Sequence, residues 1–258
     1  MELRLYRNRM MGEDLVAFVV WVRESDLWVA VDRGSYSPDI EAWTRSALKE
    51  VRAELEEWIA RHPDFSRSLT PVAVSAGAPP VVRAMAEAAA IAGVGPMAAV
   101  AGAVAEEIGK RLQGQGAREV IVENGGDIYM VSRRSRRVAL YAGERSPWSF
   151  KVGLLIEADE TPCGIATSAG TFGHSLSFGR ADAVSVVARA AALADALATA
   201  VGNRVLSPED IPSALEIVKR HVTGGNGTRG GIVVVGDKMG VYGEVRLVPI
   251  DDACEKPG

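Results

Sequence analysis

Three short stretches of this 258-residue chain bring polar oxygens and glycine together at spacings that could do chemistry. In Leu193-Ala194-Asp195-Ala196-Leu197-Ala198-Thr199-Ala200, Asp195 and Thr199 stand four residues apart, so on a helix their oxygens share one face. An aspartate among so many alanines is costly to bury without a partner, and a hard cation such as Mg2+ accepts carboxylate and hydroxyl oxygens. A helix cap or a plain surface aspartate would account for the same residues. In Asn124-Gly125-Gly126-Asp127 the adjacent glycines permit positive φ, which suits either a tight hairpin turn or a backbone that comes close to a ligand. From Gly164 to His174 the chain carries three hydroxyls, three glycines and an imidazole. Such a run could form a polar nest for phosphate or ribose, in which Thr167, Ser168 and His174 would meet the ligand, or it could be a surface loop.

These stretches must be positioned by regular elements, and the apolar pattern supplies them. Leu15 to Val22 and Leu27 to Val31 read as a hairpin of strands. Leu48, Val51, Leu55, Trp58 and Ile59 recur at helical steps between Ile40 and Ala60, and His62-Pro63 ends that helix. Pro80 to Leu112 reads as two alanine-rich helices divided at Gly93-Val94-Gly95-Pro96. The second has a face of alanine and glycine around Gly102, suited to close packing on a sheet or to close approach of a ligand. Strands follow at Glu119 to Val122, Ile128 to Val131, Val138 to Tyr141 and Val152 to Ile156, expected to continue one sheet. The strand Ala183 to Ala188, the helices Ala190 to Val201 and Ile211 to His221, and the strands Gly231 to Val235 and Glu244 to Val248 complete the chain.

Composition narrows the classes. With 48% hydrophobic and 24% charged residues the chain can bury a sizeable core, which excludes disorder. Against 33 acidic residues stand 29 basic ones, a formal charge of −4 that supplies no global field for nucleic acid. The local run Arg133, Arg134, Arg136, Arg137 reads as a solvated hairpin. Val81 to Val104 is the longest apolar stretch, but Arg83, Glu87, three glycines and Pro96 interrupt it, so no membrane span is expected. Two cysteines and the absence of a signal-peptide pattern lead to an expectation of a reducing, cytoplasmic setting. Cys163, just before the polar run, is either a buried structural cysteine or a reactive thiol; no lysine or arginine flanks it to lower its pKa.

The order Gly102 with its small neighbours, Asn124 to Asp127, Ala166 to Gly170, His174, Ala183 to Ala188 and Ala194 to Ala200 resembles the ApbE superfamily of FAD:protein FMN transferases over roughly Gly95 to Gly202. The wording from Thr167 to Gly179 is similar to a shorter branch of that superfamily. The resemblance implies an α+β fold, mixed sheets covered by helices, with two lobes around a central cleft. A single unit spans 1–258, its N-terminal lobe about 1–80 and its motif-bearing lobe about 81–258. It further implies that Asp195 and Thr199 hold Mg2+ with help from a main-chain carbonyl near Val100. Asn124, Gly125, Gly126, Asp127, Thr167 and Ser168 would bind the flavin or other nucleotide, such as FAD. His174 and Asp195 would serve catalysis, and a protein would be the acceptor. The chain departs from the family pattern in three places, the first being an N-terminal portion shorter than, and unmatched to, the one in which the transferases carry more of their flavin-binding wall. Ala101 stands where the family has lysine, and His174-Ser175-Leu176-Ser177-Phe178-Gly179 lacks the family's aspartate and proline. Either an Mg2+-dependent transferase on a flavin or other nucleotide, or a ligand-binding protein of the same fold with a flavin-linked or sulfur-related role, fits these residues.

Overall fold

In a computed structural model, residues 14–170 and 179–250 are described. The opening apolar runs form β1 (Leu15–Val22) and β2 (Ser25–Asp32), joined by a tight turn at Arg23-Glu24. The helical run becomes α1 (Pro38–Arg61), with Pro38 in its first turn and Ile40, Thr44, Ala47, Leu48, Val51, Leu55 and Trp58 on its buried stripe. After a single turn of helix, α2 (Asp64–Arg67), an extended passage leads to α3 (Pro80–Ala92). Gly93 ends α3 at φ 72°, where a left-handed residue satisfies the last carbonyls. A 3-10 turn at Pro96–Ala99 then opens α4 (Val100–Gly114). The chain bends by 105° between α3 and the segment Pro96–Gly114, and among the described residues no single helix is long and apolar enough to cross a membrane.

Next come β3 (Val120–Asn124), β4 (Asp127–Val131), β5 (Arg136–Ala139), β6 (Val152–Ile156), β7 (Cys163–Ser168) and β8 (Ala183–Ala188). The order continues with α5 (Ala191–Gly202), α6 (Ile211–Thr223), β9 (Thr228–Val235), β10 (Lys238–Gly243) and β11 (Arg246–Pro249). Eight strands form one sheet in the order β1-β2-β3-β4-β7-β8-β9-β10, and three form another, β11-β6-β5. The α+β architecture is the one expected; within it every strand pairing is antiparallel rather than mixed. The first two strands belong to the same sheet as the motif-bearing strands, through the pairing of β2 with β3.

Alternation along the strands divides the core in two. Val29, Val31, Val120, Val122, Tyr129, Ala166, Val184 and Val186 face the helices. Trp28, Ala30, Ile121, Ile128, Met130, Ile165 and Val187 face the other way, where Leu140, Leu154 and Ile156 of the small sheet and its approaches cover them.

Three expectations are corrected. Val138 to Tyr141 and Val152 to Ile156 do not continue the main sheet; they build the second layer, because the chain leaves β4, makes the β5–β6 pair, and only then returns as β7 beside β4. The first part of the polar run is not a loop: residues 163–168 are β7, between β4 and β8. The arginine run is not wholly solvated. Arg133, Arg134 and Arg137 are exposed, whereas Arg136 folds inward, with Nη1 and Nη2 on the two carboxylate oxygens of Asp14 at 3.0 and 2.6 Å and Nη2 on Glu119 Oε2 at 2.8 Å.

Candidate functional site

The turn between β3 and β4 has only two residues, Gly125 at φ 70° and Gly126 at φ 106°. Two successive positive φ values match the twist of the flanking strands, so the paired glycines make a tight hairpin. Its consequence is to set Asn124 directly opposite Asp127. Both therefore lie within strands, on the face turned toward the helices, and not in the turn. The Asn124 side-chain amide donates to the Ala101 carbonyl at 3.1 Å, tying the hairpin to the start of α4. Asp127 Oδ1 accepts the Thr167 N–H at 3.2 Å, tying it to β7. The Gly126 N–H donates to Glu123 Oε1 at 2.6 Å.

Above this hairpin two small-residue helices cross closely. A Cβ added at Gly102 would fall 2.3 Å from the Ala191 carbonyl oxygen, and one at Gly164 would fall 2.2 Å from the Ala191 Cα. Glycine at both positions is what lets α5 start against α4 and upon β7 together. The face of alanine and glycine on α4 is thus used in packing. Asp195 Oδ2 accepts the Gly102 N–H at 2.9 Å, and the Ala101 amide also favours its charged form. In return Glu106 Oε2 accepts the N–H groups of Ala191 and Ala192 at 2.7 and 3.3 Å. Each helix supplies the carboxylate that satisfies the free N–H groups at the start of the other.

Asp127 and Asp195 are thereby brought together from β4 and α5. Burial is the main force on both, and it favours the protonated forms. The Asp195 carboxyl is pushed up to about 7 even though the Gly102 and Ala101 amides favour its charge. Burial, the nearby charge of Asp195 and that of Glu123 push the Asp127 carboxyl well above the carboxylate range, against the Thr167 amide. Among the described residues neither carboxylate is bonded to a lysine or arginine, and no group of three or more His, Cys, Asp or Glu is arranged to hold a metal ion. An ion here would take its other ligands from hydroxyl, main-chain, water or substrate oxygens. Thr199 stands one turn beyond Asp195 on the same half-buried face of α5.

Thr167 and Ser168, neighbours in β7, point to opposite faces of the sheet. Ser168 lies on the helix side, where its Oγ would be 3.5 Å from a Cβ on Gly202. The Thr167 hydroxyl lies on the other side and bonds Ser185 Oγ at 2.7 Å, while its main-chain N–H serves Asp127. His174 lies outside the described residues. Cys163 is fully buried, and burial raises its thiol to about 12, the state of a structural cysteine. Two carboxylates at the site escaped the sequence reading, Glu106 and Glu123. Glu106 lies within an expected helix and is marked only by its long-range partners, the amides that open α5, while Glu123 lies just past an expected strand and is marked by the Gly126 N–H of the turn.

The eight-stranded antiparallel sheet with helices on one face is the fold of solved ApbE flavin transferases. The chain superposes on the flavin transferase ApbE from Vibrio cholerae with TM-score 0.58 at 15% identity, covering 89% of this chain and 96% of that one. On the apo flavinyl transferase ApbE from Pseudomonas stutzeri the TM-score is 0.53 at 14% identity, with coverage of 90% and 96%. Residues 7–223 match the family model described as AbpE bacteria, and the chain belongs to that family. A UPF0280 protein of Methanothermobacter thermautotrophicus is 45% identical over 201 residues, 78% of this chain and 77% of that one. Another, of Methanococcus aeolicus, is 39% identical over 242 residues, 91% and 93% of the two chains.

Proposed function

We propose that this protein is an Mg2+-dependent transferase acting on a flavin or another nucleotide, with FAD the first candidate substrate and a protein hydroxyl the acceptor. The observation that carries this reading is the Asp127–Asp195 pair: a buried and a half-buried carboxylate, from β4 and α5, close enough for the charge of one to act on the other, with no lysine or arginine bonded to them among the described residues. Two like charges held in a low-dielectric site invite a divalent cation, and their oxygens are the hard donors that Mg2+ prefers. The donor set fits the ion. Asp195 and Thr199 would hold it from α5, with Asp127 beside them. When bound, Mg2+ would neutralise pyrophosphate oxygens and stabilise the charge that develops as a phosphorus–oxygen bond breaks.

The chain's own residues do the positioning. Asn124 holds the hairpin to α4 through the Ala101 carbonyl, so the start of α4 and the Gly125-Gly126 turn lie together beside the carboxylates. We assign Asn124, Gly125, Gly126, Asp127, Thr167 and Ser168 to nucleotide binding, Thr167 through its main-chain bond to Asp127 rather than through its hydroxyl. In the transfer the acceptor hydroxyl oxygen bonds to the FMN phosphorus, AMP leaves, and we assign His174 to receive the hydroxyl proton. Ala101 supplies no cation where the family has lysine, which weakens the grip on pyrophosphate and keeps nucleotides other than FAD in play. The reduced, buried thiol of Cys163 is in keeping with a cytoplasmic setting.

The test is calorimetry with FAD and with ADP, with and without Mg2+, followed by mass spectrometry of mixtures containing a flavin-acceptor protein. Nucleotide binding that needs Mg2+ and is lost in Asp195→Ala, with AMP released on addition of acceptor, is the expected result. Mg2+-dependent binding without AMP release would assign the chain to ligand binding alone. Equal affinity in Asp195→Ala and wild type would sink the metal role.

A further inference from the structure

We propose that Glu106 is the positioning residue of the Asp127–Asp195 site, setting the register of α5 on α4 so that Asp195 and Thr199 meet Asp127; the inference rests on the metal-binding reading above. Glu106 is only 7% exposed, deep in the crossing of the two helices. Its Oε1 takes the Lys110 ammonium at 2.6 Å, an ordinary contact one turn along its own helix. Oε2 does something different: it accepts two main-chain N–H groups of another helix, Ala191 and Ala192, across 85 and 86 residues of sequence.

The geometry makes this contact a ruler for the site. Ala191 is one turn before Asp195 and two before Thr199, so these three residues form one line along α5. On α4, Gly102 is one turn before Glu106. Glu106 holds the Ala191 N–H, and the Gly102 N–H holds the Asp195 carboxylate at 2.9 Å. The helices are thus clamped at two points, one turn apart on each. Two clamps fix both sliding and rotation, which a single contact cannot do. Releasing the Glu106 clamp leaves α5 held through Asp195 itself, so the metal-binding carboxylate would have to serve as the only polar fastening between the helix starts. Groups that orient metal ligands without touching the ion are commonly worth about ten- to hundred-fold in affinity.

The probe is Mn2+, titrated into the full chain by calorimetry and followed by its paramagnetic resonance signal. Glu106→Ala is expected to bind Mn2+ about ten- to hundred-fold more weakly than wild type. Glu106→Gln, which keeps an amide acceptor without the charge, should fall between them. Lys110→Ala, which removes only the exposed partner, should stay within about twofold of wild type. Wild-type affinity in both Glu106 variants overturns the proposal. If Glu106→Ala does not fold, Glu106→Gln carries the test. Hydrogen exchange at the Gly102 amide gives a reading without metal: the Glu106 variants should lose protection there, whereas a residue that merely adds stability would lower the melting temperature and leave that amide's relative protection intact. Should wild type bind no Mn2+, the metal reading fails, and unchanged Gly102 protection in Glu106→Gln would overturn the positioning role separately.

Discussion

Gly102 and Asp195 meet because Gly102 has no side chain: a Cβ there would lie 2.9 Å from the Asp195 Cβ and 2.3 Å from the Ala191 carbonyl oxygen. The obstacle is backbone, which cannot swing aside as the end of a flexible side chain can. Gly102→Ala is therefore expected to force α5 away from α4 and to destabilise the fold by about 1–3 kcal/mol. Urea denaturation measures the loss, and a parallel Mn2+ titration should show weaker binding in the fraction that remains folded. Wild-type stability would mean that the crossing is looser than these distances require.

The carboxylate pair predicts a pH dependence of definite sign. Burial raises the Asp195 carboxyl in the folded protein to about 7, while in the unfolded chain it titrates in the ordinary carboxylate range. Between those values the folded state keeps a proton that the unfolded state has released, so stability contributed by this group falls as pH rises through that window. Without divalent cations, Asp195→Asn should flatten that fall. If the proposed Mg2+ site is right, the ion should restore stability increasingly toward neutral pH, where the pair it would bind is ionised. Thermal melts of both proteins across this range, with and without Mg2+, check the sign. A wild-type profile that rises with pH relative to Asp195→Asn would contradict the burial argument.

At the other end of the sheet the sign reverses. Arg136 bonds both Asp14 and Glu119, and its hydrogen bonds help hold their carboxyls below their usual values, against the opposing effect of burial. This contribution is full above the unfolded carboxylate range and disappears as pH falls through the lowered folded values. Arg136→Met is expected to cost about 1–3 kcal/mol near neutrality and less in acid. Denaturant titrations at neutral and acid pH would show whether the difference narrows.

Cys163 gives the plainest chemical test. With its thiol buried and raised to about 12, it should resist iodoacetamide in the folded protein and react on unfolding. Peptide mapping by mass spectrometry separates it from Cys254. Rapid labelling of Cys163 in the native state would reopen the reactive-thiol reading.

Much of the site's framework was legible because its signals are local. The glycine pair, the alanine helices and the four-residue step from Asp195 to Thr199 each declare their geometry within a few residues. What escaped was set by distant contacts. β7 looked like a loop because Gly164, Thr167 and Ser168 lack the bulk of a strand, yet Gly164 is small so that Ala191 can sit on it. With β7 unread, the opposite directions of Thr167 and Ser168 could not be deduced. The pairing of β5 with β6 as a separate layer was hidden because alternation reveals a strand but not which sheet it joins. Glu106 was silent since nothing within α4 distinguishes a carboxylate that faces Lys110 from one that also holds the start of α5.

The reciprocal clamp also bears on how the protein is made. A hairpin with a two-residue turn such as β3–β4 can form from neighbouring chain alone, and so can the body of α4. Their functional groups then wait for α5, which is synthesised only after the chain has passed through the whole β5–β6 excursion and β7 and β8. During elongation the Gly102 amide and the Glu106 carboxylate both lack their partners on α5, and a nascent chain that ends before residue 195 contains Asp127 without Asp195. The carboxylate pair is therefore complete only once α5 has been made, late in the order of synthesis.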